Sequence, residues 1–443
     1  MKNLEKYNKQ IPRYTSYPTV PYWENNLTET LWIDEVKKSF FKYNKEGISI
    51  YIHLPYCESL CTYCACNTRI TVNHKVEEPY INAVLKEWQL YLNLFNAPPL
   101  IKEIHLGGGT PTFFSPKNLK KLIIEILKGC EISQNHDFSF EGHPSNTTEE
   151  HLQTLFNLGF KRVSFGIQDF DEKVQIAINR FQTFDEVNSI VKTARKIGYN
   201  SINFDLVYGL PFQTPKSVLH TIKEVIKLKP DRIAYYSYAH VPWLKPGQRR
   251  YTEADIPNGE EKKILYTIGE QLFTEHNYKD IGMDHFALPN DELFVAHKTK
   301  KLHRNFMGYT TNSTKLLVGL GCSAISDSWG AYSQNCKDVE TYIEKINSNL
   351  FPIHKGHILT AYDLKIKELI LNIMCKDEFK IDSSFSFNFE NFNELVKDNL
   401  VEIKNNSVVI TPLGKTYLRN IALVFDKRFW DSIPTNNTFS LAI

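Results

Sequence analysis

The feature that most limits the folds open to this chain is a strand, loop, helix rhythm recurring every 30 to 40 residues, roughly, between positions 48 and 238. Residues 48–54 are nearly continuous in apolar side chains, as in a strand buried on both faces. A helix follows, with Ile81, Val84, Leu85, Trp88, Leu92 and Phe95 at three- and four-residue steps before Pro98-Pro99 ends the pattern. Further strands are expected at 101–106, 137–141, 162–167, 201–207 and 232–238. Between them Thr147 with Glu150 and Thr183 with Glu186 read as capping boxes, Gly159 and Gly198 as helix ends, and Thr214-Pro215 as a helix start. Parallel strands need such crossover helices, so the expected fold is α/β, a partial parallel (β/α)6 TIM-type barrel.

The flanks break the rhythm. Residues 10–18 hold two prolines and several aromatics, have no helical period, and are expected to lie against the main domain; a helix is expected at 28–43. After a helix at about 259–276, the stretches 281–287 and 302–311 read as too polar for core. Gly319 and Gly321 mark residues 316–323 as a buried strand or turn approached closely by other atoms. The last ninety or so residues resemble a winged helix in element order, with helices near 361–375 and 389–398, a hairpin at 401–410 turning at Asn405-Asn406, and a helix from Pro412. The helix that would enter DNA carries Glu390, Glu394 and Lys397 and no cationic face, so packing on the barrel is the better reading. The expected divisions are an N-terminal arm and helix (1–46), a barrel with its extension (47–355) and a C-terminal, mostly helical domain (356–443).

Charge and cysteine usage narrow the function classes. Lys and Arg number 52 against 50 Asp and Glu, without a basic block, which argues against nucleic acid as a partner. No long apolar run and no secretory leader are present, so no membrane span and a cytoplasmic location are expected, with thiols kept reduced. Cys130, Cys322, Cys336 and Cys375 are isolated and read as small core residues.

The other four of the eight cysteines, Cys57, Cys61, Cys64 and Cys66, fall within ten residues directly after the first strand. Structural zinc sites take paired thiols from two separated turns, whereas three thiolates on one compact loop suit an iron–sulfur cubane with one iron left open. Zinc ligation and ordinary buried thiols are the alternatives on spacing alone. In a parallel barrel, loops after the strands form the one rim where a shared site can assemble. That rim collects the thiol loop, Gly108, Gly109 and Thr110 after strand two, Glu141 at the end of strand three, Gln168 after strand four, Asp205 in strand five and Ala239-His240 after strand six. A lone residue of this kind is more often structural; six at one rim weigh toward a site.

The spacing of Cys57, Cys61 and Cys64, with Tyr63 before the third, resembles the signature of the radical S-adenosylmethionine enzymes. Further blocks narrow the resemblance to the oxygen-independent coproporphyrinogen III oxidases, across residues 10 to 426: Arg13-Tyr14-Thr15-Ser16-Tyr17-Pro18-Thr19, Cys66, Gly107-Gly108-Gly109-Thr110-Pro111-Thr112, Gly166-Ile167-Gln168-Asp169-Phe170, Tyr208-Gly209-Leu210-Pro211, Gly282-Met283-Asp284-His285-Phe286-Ala287 and His303-Arg304-Asn305-Phe306. The paralogous haem chaperones share the core motifs but generally lack the N-terminal block and have an aromatic where Cys66 stands. A porphyrin carrier using His240, His285 or His303 is a third reading. The chain departs from the family pattern at Ala65, at Gly142-His143 and in lacking an arginine pair at the start of its C-terminal helix.

The resemblance implies oxidative decarboxylation of two propionates of coproporphyrinogen III to vinyl groups, giving protoporphyrinogen IX. It implies a 4Fe-4S cluster on Cys57, Cys61 and Cys64, and two molecules of S-adenosylmethionine, one of which yields a 5'-deoxyadenosyl radical on receiving an electron. Tyr51, Tyr63, Glu141 and Ile325 correspond to contacts of the first molecule, and Gly108, Gly109, Thr110, Gln168, Arg180, Asp205 and Ala239 to contacts of the second. Arg180 alternatively forms a surface salt bridge. Cys66 is left as a free thiol beside the reaction site or packed under the loop. Four substrate carboxylates need cations, for which Arg13, Arg69 and Arg304 are candidates. An electron donor, a final electron acceptor and a monomeric state complete the expectations.

Overall fold

In a computed structural model that describes residues 5–381, 385, 387–405, 407–434, 438 and 439, the rhythm becomes one twelve-stranded sheet. Its first six strands are β1 (Ile48–Leu54), β2 (Leu100–Gly108), β3 (Glu131–Gly142), β4 (Phe160–Gln168), β5 (Ser201–Tyr208) and β6 (Arg232–Ser237). They lie side by side in chain order, all parallel. Helices Glu77–Leu92, Pro116–Leu127, Glu149–Asn157, Phe184–Ile197 and Pro215–Leu228 supply the five crossovers. The molecule is thus α/β with a partial parallel TIM-type barrel, as the sequence leads one to expect.

Further strands extend both edges. On one side the hairpin of β7 (Lys279–Gly282) and β8 (His285–Ala287) pairs with β6. On the other, β9 (Leu317–Leu320) runs parallel to β1 and begins a meander through β10 (Ile325–Asp327), β11 (Ala331–Asn335) and β12 (Ile353–Ile358). A separate hairpin, His303–Asn305 with Gly308–Thr310, lies off the sheet.

Strand β1 shows how residue type sets the layers. Ile48, Ile50, Ile52 and Leu54 are fully buried under the helices, and their alternation sends Ser49, Tyr51 and His53 to the barrel interior. That interior is polar and internally paired. Ser49 Oγ donates to Glu103 at 2.7 Å, Arg162 holds Asp137 by two nitrogens at 3.2 and 3.0 Å, and Arg232 holds Asp291 at 2.7 Å. Burial of a charge is tolerated when such partners are present.

Polarity therefore misleads in the stretches expected to lie outside the core. Phe286 and Ala287 are buried in the sheet extension, and Arg304, Asn305 and Thr310 are buried as well; Thr310 donates to Glu103 at 2.6 Å inside the barrel. A second correction concerns a cap. Thr183 and Glu186 form the expected capping box, but helix Glu149–Asn157 is boxed by Thr148 with His151. The Thr147 hydroxyl is already engaged, donating to the His143 carbonyl at 2.8 Å. Thr148→Ala is expected to lower stability by about 1 kcal/mol, seen as a lower urea midpoint; an unchanged midpoint would place the cap elsewhere.

Two large cores hold most of the chain. The larger joins the barrel to its helices and to Glu29–Tyr43. The second joins Ala361–Cys375, Phe389–Lys397, the strands Val401–Lys404 and Ser407–Ile410, and Leu418–Leu423 to Ile281 and Ala287 of the sheet extension and to Tyr7, Tyr14 and Tyr17 of the N-terminal arm. The C-terminal unit thus packs on the barrel's extension, with the arm threaded into the same core. Tyr14 donates to Asp426 at 3.0 Å, Asn420 donates to the Tyr7 carbonyl at 2.8 Å, and Trp23 stacks on Tyr332 at 5.4 Å. Of the expected hairpin turn, Asn406 lies outside the described residues. No helix among the described residues is long and apolar enough to cross a membrane.

Candidate active site

The thiol loop leaves the top of β1 and is closed on itself. Tyr56–Cys57 pairs with Arg69–Ile70, while the Arg69 amide donates to Pro55 O at 2.8 Å and the Thr71 amide to Cys57 O at 2.9 Å. Its far side is tied to helix Glu172–Ile178: Thr62 donates to Ile178 O and Ala177 O at 2.9 and 3.0 Å, and Asn179 donates to Leu60 O at 2.9 Å. All four thiols are free, with Cys66 the most exposed. Burial pushes Cys57 up to about 11, whereas the Cys66 thiol beside Cys64 holds Cys64 down at about 6. Among the described residues no three His, Cys, Asp or Glu side chains converge as ligands of one metal ion. Cubane ligands bind separate irons and need no single focus, so three thiols spaced along one pinned loop suit the cluster.

The loop after β2 reaches the thiols through its glycines. Gly108 has φ +114°, and a Cβ on Gly109 would stand 2.6 Å from the Pro55 carbonyl; the backbone therefore passes closely under β1. Gly109 N donates to Leu54 O and Thr110 N to Tyr56 O at 2.8 and 3.0 Å, and the Thr110 hydroxyl lies 3.3 Å from Cys57 Sγ.

Glu141 ends β3 beside this turn, meeting His105 Nε2 at 3.4 Å and the Gly108 amide at 3.3 Å. Burial alone would raise its carboxyl, but His105 and that amide outweigh burial and hold it below the ordinary carboxylate range. Tyr51 stacks at 6.1 Å on His105 and meets His53 Nδ1 at 3.1 Å. It also pairs with Gly319, against which the Ile325 carbonyl packs, so Ile325 reaches the same corner across the sheet.

Arg180 is only 9% exposed, and the surface salt-bridge reading is overturned. Its Nε donates to Gly166 O at 3.1 Å, Nη2 donates to the same carbonyl, and Nη1 lies 3.6 Å from Cys61 Sγ. Gln168 sits nearby with φ +66°. Asp205 pairs in register with Gly166 and accepts from Ser164 and Asn203 at 3.0 and 2.9 Å. Burial, reinforced by Glu141, pushes its carboxyl up to about 6.

Residues 51–225 match the Radical SAM superfamily. The chain is 38% identical over 441 residues to the oxygen-independent coproporphyrinogen III oxidase of Helicobacter pylori strain J99, covering 96% of each. It is 34% identical over 434 residues to the enzyme of that name from Escherichia coli K12, covering 96% of this chain and 94% of the relative. The chain belongs to the oxygen-independent coproporphyrinogen III oxidase family. A solved structure described as coproporphyrinogen III oxidase from Escherichia coli, a radical SAM enzyme, superposes with a TM-score of 0.89 at 32% identity, covering 95% of this chain and all of that one.

Within this oxidase family member, Gln248 is a site residue that no sequence motif marks. It is 1% exposed, donates to Tyr63 O and Ala239 O at 3.4 and 3.3 Å, and accepts from the Val241 amide at 2.6 Å. One amide side chain thus ties the thiol loop to the end of strand six. His105 was equally unmarked, being a polar residue inside a strand. The departure at Gly142-His143 places an imidazole near Arg180, where burial and that cation push it down to about 3, hence neutral.

Not every candidate joins the rim. Arg69 pairs on the surface with Glu340 at 2.8 Å, its side chain 57% exposed, apart from the other two arginines. Arg13 and Arg304 instead act together on Asp284 and His285, which lie alongside the middle of β6, where His285 pairs with Ala234 and Asp284 O accepts from the Tyr235 amide at 2.8 Å. The candidate haem ligands are engaged locally: His285 meets Met283 O at 2.7 Å and Tyr236 at 3.3 Å, and His240 meets Tyr238 at 3.0 Å.

Proposed function

We propose that this chain converts coproporphyrinogen III to protoporphyrinogen IX without oxygen, removing two propionates as carbon dioxide and leaving vinyl groups. The observation that carries this reading is Arg180, a buried cation against Cys61 Sγ and Gly166 O, on a rim whose thiol loop lies within a match spanning almost the whole length of oxidases of that name. No amino-acid base removes an unactivated side-chain hydrogen. A 4Fe-4S cluster with S-adenosylmethionine, when bound, supplies the one-electron chemistry that does.

In this reading Cys57, Cys61 and Cys64 hold the cluster. Tyr51, Tyr63, Glu141 and Ile325 border a first S-adenosylmethionine. A second lies along Gly108, Gly109, Thr110, Gln168 and Ala239, with its ribose hydroxyls donating to Asp205 and its carboxylate paired with Arg180. Cys66 stands free beside the reacting side chain. An electron donor for the cluster, a separate acceptor for the electron left by each decarboxylation, a monomeric state and a cytoplasmic location belong to the same proposal. So do the divisions 1–46, 47–355 and 356–443.

Anaerobic incubation with S-adenosylmethionine, a reductant and coproporphyrinogen III is expected to yield the divinyl product. Tight haem binding without any vinyl product would favour the chaperone instead.

A further inference from the structure

Arg304 is 6% exposed, and its Nε and Nη1 are buried without a hydrogen-bond partner. Its guanidinium carbon lies over the Tyr309 ring, 4.6 Å from the centroid. Burying guanidinium donors without a hydrogen-bond acceptor is costly, and an evolved interior rarely leaves them unused. Arg13 belongs to the same place from the other end of the chain. Arg419 donates from Nε to Pro12 O at 3.0 Å and from Nη2 to Ile11 O, which sets the backbone just before Arg13. None of the ion pairs among the described residues employs Arg13 or Arg304; the acid facing all three arginines is Asp284.

The position of this cluster connects it to the active-site rim. Tyr236, near the end of β6, pairs in register with Val207, two residues on from Asp205 in β5, and its hydroxyl is 3.3 Å from His285 Nε2; the charges of Asp205, Arg304 and Arg13 all act on it. A planar fork such as guanidinium is matched to carboxylate geometry.

We propose that Arg13 and Arg304 form a carboxylate-binding site that seats propionate side chains of the substrate not being cleaved, with Arg419 as the positioning residue for Arg13. This rests on the polycarboxylate substrate of the proposed function and adds to it a location and two named contacts. The arm and the C-terminal unit then serve recognition, while the thiol rim serves chemistry.

The test uses the full chain with its cluster reconstituted, titrated anaerobically with two fluorescent porphyrins, coproporphyrin III with four propionates and deuteroporphyrin IX with two. Wild type is expected to prefer the four-carboxylate probe. Arg13→Gln and Arg304→Gln are each expected to weaken coproporphyrin III binding by about tenfold and to shrink the preference, with the iron–sulfur spectrum unchanged. If Arg304→Gln does not fold, Arg13→Gln, on the partly exposed arm, decides alone. Wild-type affinity and preference in folded variants overturn the site, whatever the wild-type enzyme turns over. Weakened binding in variants of a wild type that makes no vinyl product keeps the site and overturns the decarboxylase reading. A wild type that binds neither porphyrin overturns both.

Discussion

Serine at Cys57, Cys61 or Cys64 is expected to remove most of the four-iron absorption and paramagnetic-resonance signal, while serine at Cys66 is expected to keep it. A cubane that leaves one iron open has three protein ligands, so losing any one thiolate leaves a second iron unheld, and a serine hydroxyl is a poor substitute for thiolate at an iron–sulfur site. The structure supports the same division. Cys57 lies in the paired neck of the loop beside Thr110, and Cys61 lies under Arg180. Cys66 is the exposed thiol, beyond the turn that Cys64 N closes on Cys61 O at 3.1 Å. Activity should fall in all four variants, and only the spectrum separates ligand from neighbour. A Cys66→Ser protein without its cluster, beside a Cys57→Ser protein that retains one, would sink the assignment.

For Arg180→Ala the expected result is loss of product formation by about a hundredfold or more, with the cluster signal intact. Removing one member of a buried charge-assisted pair costs about 3–5 kcal/mol, which corresponds to roughly two to four orders of magnitude in binding. Lost packing alone would not discriminate, since the side chain also braces Gly166 O. The discriminating measurement is the dependence on S-adenosylmethionine: a role toward its carboxylate raises the concentration needed for half-maximal rate, and Arg180→Lys should recover part of the loss. Wild-type turnover at limiting S-adenosylmethionine would refute the role.

The six parallel strands were legible because each alternates a helix-facing apolar series with short turn signals, and tertiary pairing lengthens β2, β4 and β5 by a residue or two at an end and β3 by more, at its start. What was not legible depended on partners far away in sequence. Thr147 lost its capping role to the His143 carbonyl, and the cap that formed uses an imidazole, His151, where the usual box has a Glu or Gln. Arg304, Asn305 and Thr310 read as surface because the sequence does not reveal that this barrel's interior is polar. The contacts of Gln248 and Arg419 are mostly with backbone carbonyls, which leave no trace in residue patterns. The rim residues taken by resemblance do sit together, whereas Arg69 was separated from Arg13 and Arg304 by its surface pair with Glu340.

The arm also has a consequence during synthesis. Its aromatic anchors, Tyr7, Tyr14 and Tyr17, share a core with Leu418, Ile421 and Phe425, about four hundred positions later. A growing chain emerges from its N-terminus and forms domains in that order. The six-stranded barrel and its thiol loop therefore leave the ribosome well before the arm has anything to close against. Residues 7–14 wait, aromatic and unpaired, until the final helices appear. A cluster-loading step would meet an open barrel in the nascent chain, and a ribosome that stopped short of residue 418 would release a protein with a complete thiol loop and an unfastened first segment.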